Sequence, residues 1–412
     1  MARRLAGATA LLLVLLFASN PIQAQGPNNI WAWGYGFYGG LGQGGTVPVA
    51  DSGSALQYPL SGVTAVAGGY GSTYALKADG TVWASGMNNY GQLGNGGNTE
   101  STTPIQVRAV GGAGFLTGIT AISAYQYGAM ALKSDGTVYA WGRNEYGQLG
   151  DGSQLGQQND GFNSNLPRQV SITGVVAIGS GDEHNMAVKS DGTVWAWGSN
   201  RYGTLGNGTN ANIGGGAVVT NKLPVQVLTL TNVVAVSGGG VSSMALKADG
   251  TVWTWGWNGF SQLGNGTANG AFANVAAQVV GLSGIVAINN GFLHNMAVKS
   301  DGTLYTWGDN RWGQLGNGTI SNTPDGTPTA VASLSGVTAI AGHHSSLALT
   351  SDGTVWAFGY NDHRQLGNGS TTDSGVPTAV SGITGITGVG AGFFHSIAFK
   401  LPKEVSAGAD QN

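Results

Sequence analysis

Past residue 24 the chain is written in short runs of alternating apolar and polar residues, each broken by glycine, with no stretch at helical spacing. One run, Asn185 to Ser190, leads into Asp191-Gly192, and a second, Thr193 to Gly198, follows it. Period-two alternation predicts half-buried strands. Asp-Gly between two such runs predicts a hairpin whose two central positions take positive φ. A further strand is expected upstream, as in Val175 to Ser180 and Ile285 to Asn290. Downstream, Pro59, Pro104, Pro167, Pro224, Pro328 and Pro377 mark another. Each unit therefore reads as four strands.

The unit recurs. Asp-Gly-Thr begins at Asp79, Asp135, Asp191, Asp249, Asp301 and Asp352, at intervals of 51 to 58 residues. Four-stranded units of about 50 residues suit propeller blades around a central channel. The chain opens with IWAWGYGFYGGLGQGG, the second half of a unit, and closes with Ile386 to Lys400, the first half of one. Aligning Trp33 with Trp197 puts the missing turn near Pro27, in register with the series. The expected fold is all-β: a seven-bladed β-propeller of four-stranded blades over residues 25–401, its last blade shared between the N- and C-terminal segments. Pairing the two ends closes the ring and leaves no naked edge.

The stretch GDEHNMAVKSDGTVWAWGSNRYGTLGNG, Gly181 to Gly208, resembles the regulator of chromosome condensation (RCC) repeat. Gly-x-x-His, an Ala-containing strand, Asp-Gly, Trp-Gly-x-Asn and Gly-x-Leu-Gly carry the resemblance, which covers residues 25–401. It implies the same seven-bladed ring with a shared last blade. A secreted bacterial inhibitor of class A β-lactamases is similar, with shorter units. The family's eukaryotic founder exchanges nucleotide on a small nuclear GTPase, but this chain has neither a basic tail nor a wedge insertion, so exchange is not expected.

Composition narrows the function. Arg3 and Arg4, the apolar run after them and "IQA" ending at Ala24 read as a secretory signal peptide, residues 1–24. The chain is thus expected to be a secreted bacterial member of the family, extracellular or periplasmic. Net charge is −3 with only 8% charged residues, which leaves no electrostatic footprint for nucleic acid or anionic lipid. With no cysteine, no disulfide supports the fold outside the cell. Residues 402–412 read as a short tail.

Most repeated letters are structural. Paired aromatics such as Trp195 with Trp197, Trp253 with Trp255 and Tyr305 with Trp307 share a strand face and should wedge between blades. Trp83 has only Ser85 as its partner, so looser packing is expected there. Leu93, Leu149, Leu205, Leu263, Leu315 and Leu366 should plug inward, and Lys77, Lys133, Lys189, Lys247 and Lys299 should be solvated. Asn-Gly-Thr/Ser at Asn207, Asn265, Asn317 and Asn368 matches a glycan sequon, but Asn-Gly here suits a turn.

Function should lie in what varies. After each Trp-Gly the text reads x-Asn-x-aromatic. Its variable positions give Tyr35, Phe37, Met87, Arg143, Glu145, Arg201, Trp257, Asp309, Arg311, Tyr360 and Asp362, with Trp312 in the aromatic slot and Arg364 just after it. Interfaces favour such residues. Five of the six arginines after the leader fall in or beside this loop, with Arg168 the least closely placed. His184, His294 and His395 share a slot that Ser72, Ser242 and Ser345 fill in other units; in related propellers that slot nears one mouth of the channel. These histidines are either partner contacts or ties to neighbouring backbone. Insertions between Asp151 and Pro167, before Pro224 and after Gly266 are expected to extend the rim.

No nucleophile–base pair, metal set or phosphate loop emerges; Asp182, Glu183, Asp309 and Asp362 are the only suggestive carboxylates, and nothing pairs them. The expectation is a non-enzymatic, monomeric protein-binding propeller without cofactor or metal, inhibitor-like in its action. The alternative is a carbohydrate-binding propeller that stacks glycans on Trp257, Trp312 and Tyr360.

Overall fold

The computed structural model describes residues 28–153, 163–209, 219–266, 270 and 272–401. The leader, the turn near Pro27, the tail and much of the three loop insertions lie outside the described residues.

Among the described residues, twenty-eight strands form seven four-stranded sheets. In a typical blade the inner strand Val175–Ser180 pairs with His184–Lys189, then Val194–Ser199, then Thr220–Gln226, all antiparallel. Counting from the first complete unit, blade 1 begins at Val63, blade 2 at Ile119, blade 3 at Val175, blade 4 at Val233, blade 5 at Ile285 and blade 6 at Val337. The seventh sheet takes Gly388–Ala391 and His395–Phe399 from the end of the chain, and Ile30–Gly34 and Ser52–Tyr58 from its start. The two termini meet where Ile30–Gly34 pairs with His395–Phe399. Among the described residues the only helical turn is the 3-10 turn Val110–Gly112, and no helix is long and apolar enough to cross a membrane.

The Asp-Gly turn differs from the expected two-residue form. Gly192 has φ +76, whereas Asp191 is not among the residues with positive φ. Gly192 N donates to Lys189 O, and Lys189 N to Thr193 O. This is a type I turn closed by a left-handed glycine, which twists the strands as a hairpin requires. The Asp191 carboxylate accepts from the Thr193 amide and hydroxyl, which explains why threonine follows the pair.

Each blade packs on the next through its own apolar cluster. Met186, Val188, Leu205 and Val227 of blade 3 meet Ala245 and Trp255 of blade 4. The plug leucines are buried as expected. The paired aromatics divide their work. Trp33, Trp141, Trp197, Trp255 and Trp307 are fully buried, and each indole N–H donates to a backbone carbonyl of the preceding blade. Gly206 (φ +60) lies under Trp255, where a Cβ would come within 2.9 Å of the indole nitrogen. That is why the loop reads Leu-Gly. The other member of the pair, as in Trp195, is only half-buried.

Two expectations fail. The Ser85 junction is not loose: the buried Tyr58 ring of the neighbouring blade occupies the missing indole's place, and its hydroxyl donates to Ser85 Oγ at 2.8 Å. The turn lysines are not all free in water, because Lys77, Lys189 and Lys247 lie over Trp83, Trp195 and Trp253 at 5.4–5.7 Å.

Candidate protein-binding face

In an antiparallel blade the loop between the first two strands and the loop between the last two emerge on the same side. The Asp-Gly turns emerge on the other. One face of the ring therefore collects both the x-Asn-x-aromatic loops and the two residues before each His/Ser slot.

The outer loops are held from below. Asn200 Oδ1 accepts from Leu205 N while its Nδ2 donates to Thr209 Oγ1. Gln148 Oε1 accepts from Tyr146 N, and Gln314 and Gln365 repeat the contact at Trp312 and His363. Asn and Gln are thus loop ties, which frees only the letters between them. The sequon residues serve the same frame, as Asn207 Oδ1 accepts from Thr209 N and Oγ1.

Three expected contact sites carry an arginine lying on rings. Arg143 sits 5.2–5.7 Å from the ring centres of Tyr90, Tyr127 and Tyr146 and pairs with Glu145. Arg311 lies 4.2 Å over Phe260 and 5.1 Å over Trp312, held by Asp309 at 3.0 Å. The exposed Arg201 lies 5.4 Å over Tyr202, whose ring also tilts against the half-buried Trp257. Phe37 is 44% exposed, Asp362 is exposed, and Tyr35, Trp312 and Tyr360 are half-buried. Arg364 takes φ +64 and donates to Gly369 O. Arg168 leaves the group, pairing with Asp151 at 2.6 Å.

Five expected contacts are corrected. Met87 and Asp309 are buried in their loops; Asp309 acts by holding Arg311. His184, His294 and His395 are at most 1% exposed and bridge to the next blade through Ser243, Ser346 and Thr73 at 2.8–2.9 Å. Ser243 and Ser346 spend their own protons on the carbonyls of Thr204 and Gln314. Each therefore accepts from its histidine Nε2–H, a neutral tautomer. His294 Nδ1 and His395 Nδ1 are buried without a partner. Burial pushes His184 and His395 down to about 4, and burial and then His343 push His294 down to about 3.

The inner loops supply what the outer ones did not reveal. They lie at the mouth of a central cavity of about 260 Å³, lined by the inner strands. Backbone bonds stitch many of them together: Tyr70 N to Gln126 O, Gly240 N to Phe292 O, Phe292 N to His343 O and Phe393 N to Gly69 O. Across the mouth, His343 of blade 6 reaches Asp182 of blade 3 at 3.0 Å. His343 Nδ1 meets His344 Nδ1 at 2.8 Å, and the Phe393 ring stacks on His343 at 3.7 Å. Burial, then His343, lowers His344 to about 2, so that imidazole is neutral. Around Phe394 lie His344, His363, Tyr70, Tyr360 and Tyr35, with ring centres 4.9–6.1 Å away. Inner and outer loops thus build one aromatic surface. The sequence signal for its inner half was the variable pair before the slot: Tyr70-Gly71, Gln126-Tyr127, Phe292-Leu293, His343-His344, Phe393-Phe394.

No group of three or more metal-binding side chains occurs among the described residues. A model of the RCC1-like domain matches residues 29–398.

The chain belongs to the RCC1-like domain family.

It is 31% identical over 399 residues to the human (Homo sapiens) E3 ubiquitin-protein ligase HERC2, which covers 94% of this chain and 8% of the ligase. The chain thus spans less than a tenth of that relative. It is 29% identical over 374 residues to the ultraviolet-B receptor UVR8 of Arabidopsis thaliana, covering 88% of this chain and 79% of the receptor. Among solved structures, Prp20p of Saccharomyces cerevisiae superposes with a TM-score of 0.75 at 23% identity, covering 92% and 93% of the two chains. Human WBSCR16 gives 0.76 at 21%, covering 92% and 99%. The ring is that of an RCC1-like propeller.

Proposed function

We propose that this RCC1-like chain is a secreted, non-catalytic propeller that docks a partner protein, outside the cell or in the periplasm, on its aromatic loop face. The observation that carries the reading is the continuity of that face. Rings from blades 5, 6, 7, 1 and 2 touch one another in an unbroken series, from Phe292 through His344, Phe394 and Tyr70 to Tyr127 and Tyr90. Large rings fixed by their own loops are what a hot spot needs, since little side-chain entropy remains to be lost. The yeast structure in the same family was described together with its binding to Gsp1p and histones, so protein docking has a precedent on this scaffold. The acidic balance of this chain separates it from a nucleic-acid partner.

Capture from culture medium tests the reading. The wild-type chain and a Phe37→Ala/Arg201→Ala variant are immobilised and the retained proteins identified. A protein held by the first and lost by the second supports it; identical retention by both removes it. A second reading rests on the half-buried indoles of Trp257 and Trp312, which suit sugar rings. Glycan-array binding that vanishes in Trp257→Ala would place carbohydrate first.

A further inference from the structure

The aromatic surface has two kinds of sector. Over blades 2 to 5 the ring in each aromatic slot is already occupied by an arginine of this chain: Arg143 on Tyr146, Arg201 on Tyr202, Arg311 on Phe260 and Trp312. Two of these arginines are neutralised by a carboxylate two residues away. At the ring closure, Tyr35, Phe37, Tyr70, Tyr360, His363 and Phe394 carry no lysine or arginine among the described residues, and in blade 1 Arg143 reaches only as far as Tyr90.

That sector is a shallow bowl. Phe394 forms its floor and Tyr35, Tyr70, Tyr360 and His363 its wall. Phe37 stacks on Tyr35 at 6.1 Å and is the most open ring. Carboxylates edge it: Asp51 accepts from His363 Nδ1 at 3.0 Å, and Asp362 from the Tyr360 hydroxyl at 3.0 Å. Asp373 lies close by, its amide contact made with Asn361. At Arg143 and Arg311 a ring group and a carboxylate together hold a guanidinium. Here rings and carboxylates are both present, and the one arginine of the same loop, Arg364, turns instead to Gly369 O.

We propose that the bowl around Phe394 receives an arginine side chain of the partner protein, stacked on the rings and paired with Asp362. The inference rests on the protein-docking reading and names the chemistry by which that face selects its partner. Ring faces attract a cation by their quadrupole, most strongly where water is displaced. Guanidinium also forms two parallel bonds to a carboxylate, which a lysine cannot. The surface thus asks for a partner whose contact segment is basic, matching the acidic balance of the chain.

The test uses two soluble peptides, one carrying two arginines and one with both replaced by citrulline, which keeps the shape and loses the charge. Each is titrated into the full chain while ring resonances are followed by NMR. The arginine peptide is expected to shift resonances of Tyr35, Phe37 and Phe394, and the citrulline peptide to leave them in place. Phe37→Ala and Asp362→Asn should each weaken binding roughly fivefold, the scale of one cation–π or exposed charge contact. Lys133→Ala, beside an Asp-Gly turn on the opposite face, should change nothing. Equal binding of the citrulline peptide, shifts confined to the Arg143 and Arg201 sectors, or no shift at millimolar peptide would each overturn the proposal. Partner capture that depends on Phe37, alongside a failed peptide titration, would leave the docking face standing and remove only its arginine chemistry. Peptide binding with no partner captured would do the reverse.

Discussion

His184, His294 and His395 show how a residue that looks functional can be a structural pin. Each is tied through Nε2 to a hydroxyl of the next blade, His184 and His294 as donors, and in protonated His294 or His395 the Nδ1 proton would be buried with no acceptor. Their folded pKa values, about 4, 3 and 4, lie below the ordinary histidine value. The unfolded chain therefore takes up protons first as pH falls, and the stability these neutral rings carry is complete above about pH 6.5 and drains away toward pH 4. The loss grows with every pH unit below the unfolded value, and the three histidines add to it together. Urea midpoints at pH 7 and pH 4.5 should differ strongly for the wild-type chain. They should differ much less for the His184→Ser/His294→Ser/His395→Ser variant, because serine fills the slot in other blades. An unchanged difference would show that other groups carry the acid response. The sequence displayed the slot and its serine substitutes but not its depth, since burial depends on which neighbour arrives in space.

At the scale of the element, the repeated letters resolve into a division of labour between strand and loop. The second aromatic of each pair is packed on the preceding blade and floored by a left-handed glycine; the first covers the blade edge, beneath a lysine at Trp195 and Trp253. Trp197→Ala should cost about 3–5 kcal/mol, as for a fully buried ring in a core that cannot collapse. Trp195→Ala should cost roughly 1 kcal/mol, the transfer term of a half-buried ring. Urea unfolding of the two variants compares them directly, and equal losses would contradict the division. Strand order, hairpins and plug leucines were legible because they follow from period two and Asp-Gly. The turn type was not, since one positive φ and two both suit that dipeptide. Nor was the Tyr58 substitution at Ser85, where a residue from another blade replaces an indole absent from the local text.

At the scale of the whole molecule, closure does more than seal the ring. It brings Phe37, Tyr360 and Phe394, far apart in the chain, to a single sector. The count of seven blades was readable from two half-units at the ends. The bowl was not, because its rings come from two loop families and three blades, and no one repeat contains it. The outer loops were found by their arginines; the inner loops escaped because their variable pair is only two letters long.

Hydrogen–deuterium exchange of the chain with and without a captured partner tests the docking face most directly. Protection is expected at residues 35–38, 360–364 and 392–394, with the Asp-Gly turns at 78–81, 190–193 and 300–303 unaffected. Protection centred on those turns, with the aromatic loops exchanging as in the free chain, would contradict the account.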